Sequence, residues 1–218
     1  MHAPTSLRQL WDNPQQGNTA LAEPDPEVLC FIESMRQKCS PGSRVLDAGC
    51  GRGRYAPVWQ ALGFTVHGCD LSLAAIQLAQ VHSHLRSLAI RYEVADLRHL
   101  PYEKQSFRFA LCTRVLPYHF KADMLSSLHE LWRVLEPDGW LYLDLLDRYD
   151  SEYGMGQEVE PMTFLDTAGM PTHFSSGSEI KAALRGFAIE RMQRLEQAGE
   201  SHTRAIWTIW ARKITTNR

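Results

Sequence analysis

The sequence carries no surplus of either charge: 23 Lys and Arg stand against 25 Asp and Glu, a formal net charge of −2 over 218 residues. A protein that coats nucleic acid usually has a basic excess, so such a role would have to rest on a local patch. There is no CxxC pair, and the five cysteines (Cys30, Cys39, Cys50, Cys69, Cys112) are an odd number. Cys50, Cys69 and Cys112 end apolar runs, which predicts buried free thiols in a reducing compartment rather than a disulfide framework. His82 and His84 have no acidic or thiol residue at ligand spacing, so no metal site is expected. No segment approaches the roughly 18 uninterrupted apolar residues of a membrane helix. The start, MHAPTSLRQLWDN, lacks the apolar stretch of a signal peptide, and the expected location is cytoplasmic, with no membrane partner. Internal repeats, low-complexity tracts and domain-sized linkers are missing too. What remains, 44% hydrophobic and 22% charged residues, is the make-up of one soluble domain. A chain of this size buries about 70% of its unfolded surface without covalent or metal staples.

Residues 1–24 read as an arm whose Leu7, Leu10 and Trp11 dock on the domain or over a site. Asp25-Pro26 signals a helix start, with Asp25 as cap, and Val28, Leu29, Ile32 and Met35 recur at helical spacing until Ser40-Pro41-Gly42. Short β-rich runs at 44–48, 65–69, 90–95, 107–113 and 140–146 then alternate with helical stretches near 55–62, 72–84 and 123–135. Such alternation is the sequence form of a parallel sheet covered on both faces. The 123–135 helix is expected to have Asp123 as its cap and Leu125, Leu128, Leu131, Trp132 and Leu135 as its core stripe. Residues 147–160 hold five acids (Asp147, Asp150, Glu152, Glu158, Glu160) against Arg148 and read as a mobile acidic loop. Ser176 and Glu179 form a capping box for a helix to Arg185. Runs at 187–195 and 203–212 are most simply an antiparallel hairpin at the sheet edge. The expected fold is thus α/β and Rossmann-like: a doubly wound, mostly parallel seven-stranded sheet with a C-terminal antiparallel hairpin and helices on both faces. A single domain, 1–218, divides into the arm 1–24, a core 25–146, a loop or lid 147–175, and the helix and hairpin 176–218.

The chemistry concentrates where Val45-Leu46-Asp47-Ala48 runs into Gly49, Gly51 and Gly53. In a doubly wound sheet this turn lies at the carboxyl end of the first strand, beside the switch point where such folds bind ligands. Glycine is needed there because a Cβ would collide with a ligand lying against the backbone. A dinucleotide loop would have glycine at 54, where Arg54 stands, and no Lys-Ser/Thr pair follows, so a P-loop is excluded. Asp47 would repel a diphosphate yet suits a cationic amine or ordered water. A nucleoside ligand without phosphates is therefore favoured. Asp70, ending the second strand, is placed to accept from both ribose hydroxyls, although capping the helix near Ser72 is the plainer alternative. Asp96 ends the third strand in the same row and would reach an exocyclic amine, with the Leu97 amide available to a ring nitrogen.

The segments DAGCGRG, GCDLS, VADLRHLPYEKQSFRFALC and LWRVLEPDGWLYLDL, in this order, resemble the class I S-adenosylmethionine-dependent methyltransferases, particularly the group that modifies small molecules. The resemblance covers residues 25–146 well and the final hairpin more loosely. It implies S-adenosyl-L-methionine as cofactor and S-adenosyl-L-homocysteine as product. Gly49, Gly51 and Gly53 would meet the methionine part, with Asp47 at its amino group through water. Asp70 would hold the ribose, Leu71 lie against the adenine, Asp96 take the adenine amine and Leu97 the adjacent ring nitrogen. The Thr113 carbonyl would lie near the cofactor's amino group. Arg114 departs from the small or apolar residue expected there; it pairs with the cofactor carboxylate or a substrate acid, or it turns outward.

Methyl transfer from a sulfonium is an in-line displacement from an activated leaving group, so the protein mostly aligns the reactants and excludes water. Tyr118 and His119 are the catalytic candidates, with His119 as general base or both as pocket wall. The acceptor pocket would draw on Trp11, Tyr118, Tyr149, Tyr153, Phe164 and Phe174. The acidic 147–160 run would attract cationic acceptors, although the usual meaning of such a run is only a solvated loop, whereas Arg204, Arg212, Lys213 and Arg218 face no acid and keep a tRNA-binding edge open. Three functions stand: a small-molecule methyltransferase, an RNA methyltransferase, and a silent cofactor-binding module acting through a partner. The first is preferred, with nucleic acid not the expected partner.

Overall fold

The computed structural model describes Trp11, residues 23–198 and residues 202–215. The elements are α1 (Pro26–Arg36), β1 (Arg44–Ala48), α2 (Ala56–Ala61), β2 (Thr65–Asp70), α3 (Leu73–Leu85), β3 (Arg91–Val94), β4 (Phe107–Cys112), a 3₁₀ turn (Leu116–Tyr118), α4 (Lys121–Val134), β5 (Leu135–Asp147), β6 (Gln157–Glu160), β7 (Thr163–Leu165), β8 (Pro171–Ser175), α5 (Gly177–Ala183), β9 (Phe187–Ala198) and β10 (Thr203–Lys213). Strands run in the order β3-β2-β1-β4-β5, all parallel, and β10 joins β5 antiparallel with β9 outside it. This is the expected seven-stranded sheet. Beside it stands something the sequence reading took for loop: β6 and β7 pair antiparallel, β7 pairs β8, and β8 attaches in parallel to the end of β5.

Both faces are packed. On one, Val28, Phe31, Ile32 and Met35 of α1 meet Val45, Phe109, Leu111 and Tyr142, with Trp59 of α2 stacked on Phe109 at 5.7 Å. On the other, Leu128, Leu131 and Val134 of α4 and Ile180 of α5 cover Leu46, Ala110, Cys112 and Leu143. The alternation along each strand sorts these residues, so Asp47 shares the α1 face with its partner Leu111, and Asp144, two residues on from Tyr142, shares it too. No helix among the described residues is long and apolar enough to cross a membrane. The five thiols are free, and Cys50, Cys69 and Cys112 are buried.

Four local expectations are corrected. Asp25 occupies the cap position of α1 but makes no cap bond, because long-range partners take its carboxylate. Helix α4 starts two residues before Asp123, whose carboxylate receives Arg98 instead. Of its expected stripe, Leu128, Leu131 and Leu135 are buried and Trp132 packs against the same core, but Leu125 is exposed and Met124 and Val134 fill the remaining core positions. The capping box is half present: Ser176 Oγ accepts from Glu179 N at 3.3 Å, but the Glu179 carboxylate turns to Lys121 and His173. Ser176→Ala is expected to cost about 1 kcal/mol, measured as a lower urea midpoint with an unchanged slope.

Candidate active site

The β1–α2 loop is held by its own backbone. Gly49 and Cys50 amides both donate to the Cys69 carbonyl, at 2.7 and 2.9 Å, and Gly53 N donates to Cys50 O at 2.9 Å. All three loop glycines have positive φ, but they have different neighbours. A Cβ on Gly49 would overlap Val115 Cγ2, and one on Gly53 would stand 2.6 Å from the Tyr92 hydroxyl. A Cβ on Gly51 would meet nothing within 4 Å among the described residues. Gly49 and Gly53 are therefore required by the protein itself, while the space over Gly51 is open to a ligand.

Asp70 ties the second strand to this loop. Its Oδ2 accepts from Gly51 N at 2.8 Å and its Oδ1 from Ser72 N at 2.9 Å. The helix cap next to it is Ser72 itself, whose Oγ accepts from Ala75 N, so Asp70 is not the N-cap. Asp47 is 2% exposed, and its Oδ2 is buried without a hydrogen-bond partner among the described residues. Burial first, then the charge of Asp70, push its carboxyl up to about 7, against the pull of Arg54. A buried acceptor left unmade is costly, and a cationic amine would satisfy it. The open Gly51 backbone and the orphaned Asp47 oxygen together fit the amino-acid end of S-adenosylmethionine.

The adenine end fits less simply. Asp96 is held by Arg98, which donates from N and Nε to Oδ1 and from Nε and Nη2 to Oδ2. Burial pushes the Asp96 carboxyl up, but these bonds and the Arg98 charge outweigh it and hold it below the usual range. A carboxylate offers about four lone-pair sites, so an adenine amine would compete with Arg98 for them. Leu71 is half-buried, while the Leu97 side chain lies in the core against the α4 face, so that only its backbone could serve a ring nitrogen.

A second polar group lies across β4 and β5, and sequence reasoning missed most of it. Asp144 is buried, and its Oδ1 accepts from Arg114 N at 2.7 Å. Burial raises its carboxyl to about 6, against that bond and the charges of Arg204 and Arg114. Arg114, one residue past the half-buried Thr113, has φ +57°, and its Nη2 donates to Asp25 Oδ1 at 2.8 Å. Tyr55 donates to Asp25 Oδ2 at 2.6 Å and Arg54 lies 3.4 Å from the same oxygen. Arg114 thus pairs with an acid of its own chain. Asp144 could have been noticed, as the single carboxylate in LYLDLL just as Asp47 is in VLDA, but Asp25 looked fully explained as a cap.

Of the residues expected around the acceptor, Tyr118 ends the 3₁₀ turn, and Trp11 meets its ring edge to face at 5.4 Å. Burial raises the Tyr118 hydroxyl above its usual range. His119 Nδ1 lies 3.0 Å from the Val115 carbonyl. A carbonyl only accepts, so Nδ1 carries the proton, and burial favours the neutral ring, which leaves Nε2 as the acceptor. The other aromatics are not all pocket wall. Phe164 and Phe174 are buried with Leu146 as the small core under β6–β8, Tyr153 packs on both, and Tyr149 is exposed beneath Arg194 and Arg148.

The charge expectations also change. Asp147 accepts from Tyr149 N and faces Arg194, Asp150 accepts from Glu152 N and Ala205 N, and Glu160 accepts from Lys121 N. Much of the acidic run therefore caps turns rather than facing a cationic acceptor. Of the basic tail, Arg212 bridges Asp138 and Glu190, and buried Lys213 donates to Leu135 O, so neither belongs to an RNA-binding edge; Arg218 lies outside the described residues.

Comparison with known proteins bears on this geometry. Residues 46–143 match the family described as "Methyltransferase domain". The malonyl-[acyl-carrier protein] O-methyltransferase of Salmonella typhimurium is 30% identical over 193 residues, 88% of this chain and 67% of that protein. The chain belongs to the class I S-adenosylmethionine-dependent methyltransferases. The ubiquinone biosynthesis O-methyltransferase of Paraburkholderia phymatum is 30% identical over 150 residues, 68% of this methyltransferase and 63% of that one. Among solved structures, a SAM-dependent methyltransferase from Methanosarcina mazei superposes with a TM-score of 0.73 at 21% identity, covering 88% of this chain and 99% of that one. That likeness shows a shared fold. The chain spans about half to two thirds of the length of the curated relatives it matches.

Proposed function

We propose that this methyltransferase, acting as one domain, binds S-adenosylmethionine over the β1–α2 loop and transfers its methyl group to a small-molecule acceptor. The observation that carries this is the buried, unpartnered Asp47 Oδ2 beside the open backbone of Gly51. When bound, the cofactor supplies a methyl group already activated on a sulfonium. Ionised Asp47 holds the amino group, Gly51 accommodates the methionine part without a Cβ, and Asp70 reads the ribose hydroxyls with its carboxylate fixed by the Gly51 and Ser72 amides. Leu71 and the Leu97 backbone border the adenine, with Asp96 at its amine in exchange for an Arg98 contact, and the Thr113 carbonyl faces the amino group. Arg114 is a positioning residue, its amide on Asp144 and its guanidinium on Asp25.

Tyr118 and Trp11 wall the acceptor, and His119 takes a proton at Nε2 where the acceptor must lose one, a role worth about 10²–10⁴-fold. Both named curated relatives are O-methyltransferases, which supports an oxygen acceptor. The buried free thiols support a reducing compartment, the cytoplasm.

S-adenosylhomocysteine at 100 times its dissociation constant should stabilise the fold by about 2.7 kcal/mol. For a chain of this size that raises the melting temperature by roughly 5–11 °C. An unmoved melting temperature at millimolar ligand, or an equal shift in Asp70→Ala, would overturn the proposal.

A further inference from the structure

The β9–β10 hairpin carries five described cations, and four have partners. Arg191 faces Glu27, Arg194 faces Asp147 and Glu196, Arg212 faces Asp138 and Glu190, and Lys213 donates to Leu135 O. Arg204 is the exception among the described residues: its Nε is shielded from solvent and has no hydrogen-bond partner. The side chain is half-buried, and a buried Nε donor without an acceptor is unfavourable, so the fold gains nothing from leaving that donor unpaired.

Its place in the sheet is informative. Because β10 runs antiparallel, its first residues lie at the carboxyl ends of the parallel strands, the edge where ligands bind. Thr208 stands opposite Asp144, and by the two-residue period Ile206 and Arg204 continue the same face outward. The positive charge of Arg204 pulls down the Tyr118 hydroxyl and the Asp144 carboxyl, both of which burial raises. The register therefore places Arg204 on the face of Asp144 at the carboxyl end of the sheet, with its charge acting on Tyr118, the partner of Trp11.

We propose that Arg204 is the specificity residue of the acceptor pocket and binds a carboxylate carried by the acceptor, on the aromatic wall made by Tyr118 and Trp11. A guanidinium fork matches planar carboxylate oxygens with two parallel bonds. It would match a phosphate as well, but the charges of Glu152 and Asp144 act on Tyr118 and that of Asp25 on Asp144, which disfavours a second negative charge on the ligand. The proposal rests on the methyltransferase reading above and replaces the cationic acceptor that the acidic 147–160 segment suggested.

Benzoate, benzamide and phenyl phosphate, titrated calorimetrically into protein saturated with S-adenosylhomocysteine, separate the possibilities. Benzoate should bind at least about tenfold more tightly than benzamide, and more tightly than phenyl phosphate. Arg204→Gln should abolish the preference for benzoate over benzamide while leaving S-adenosylhomocysteine affinity unchanged and the melting temperature no lower than wild type, and Arg204→Lys should keep part of the preference. Equal binding of benzoate and benzamide, tighter binding of phenyl phosphate, no saturable binding of any probe, or a preference that survives in Arg204→Gln would each overturn the assignment. Failure of wild-type protein to bind S-adenosylhomocysteine would instead remove the methyltransferase reading beneath it.

Discussion

Asp47→Asn is expected to yield a more stable protein that binds S-adenosylhomocysteine more weakly. In the folded chain the Asp47 carboxyl is raised from an ordinary 3.8 to about 7, by burial and by Asp70. Below pH 3.8 it is protonated in folded and unfolded chains alike and costs nothing. As pH rises toward 7, the unfolded chain releases the proton while the folded chain retains it, so stability falls across that window and stays low above it. Asparagine has the same shape and no charge to desolvate. At pH 8 the variant should gain about 2–4 kcal/mol, or roughly 5–15 °C in melting temperature. Binding moves the opposite way. A charge-assisted bond from the ligand's ammonium to Asp47 is lost, which costs about 1.5–3 kcal/mol, a factor of roughly 10–150 in affinity. Wild-type affinity should also climb with pH up to about 7, as the Asp47 proton must leave on binding, whereas the Asp47→Asn affinity should be flat. Calorimetry in two buffers of different ionisation enthalpy reads that proton directly. A destabilised Asp47→Asn protein, or wild-type binding that ignores pH from 5.5 to 8, would contradict the assignment of Asp47 to the amino group.

Residues whose role is set by their own backbone were legible in the sequence; those whose role is set across the fold were not. Gly49, Gly51 and Gly53 announce themselves because each adopts a positive φ, which disfavours other residues. Asp47 and Asp70 are legible because a strand ending in an acid has few local explanations. Asp25 satisfies a local rule, the cap before Pro26, and so conceals that its partners are Tyr55, Arg54 and Arg114, 30, 29 and 89 residues away. The β6–β7 hairpin was hidden for another reason: four- and three-residue strands are too short to show a period of two, and the acidic composition around them suggested loop. Arg98 was likewise invisible, since nothing in Asp96-Leu97-Arg98 says that the side chain folds back on its own strand-end acid.

Gly49→Ala and Gly51→Ala, two residues apart in one loop, are expected to fail in different ways. At Gly49 the new methyl would overlap Val115 Cγ2 in a backbone conformation of φ +76° that alanine adopts at a cost. The two effects together should destabilise by about 2–4 kcal/mol, seen as a fall in melting temperature. Because the clash is with one side chain, Val115→Ala should recover the steric part, and a double-mutant cycle should show coupling of about 1 kcal/mol or more. At Gly51 the methyl enters open space, so only the strain of φ +53° remains, about 1 kcal/mol, and the protein should fold. What it should lose is the ligand, because the space it fills is where the methionine part of S-adenosylhomocysteine would lie: overpacking of about 1–3 kcal/mol is a factor of roughly 5–150 in affinity. Equilibrium unfolding and ligand titration on the same preparations separate the two. Should Gly51→Ala bind S-adenosylhomocysteine as wild type does, the open space over Gly51 is not the cofactor cradle, and the cofactor must approach the loop from another side.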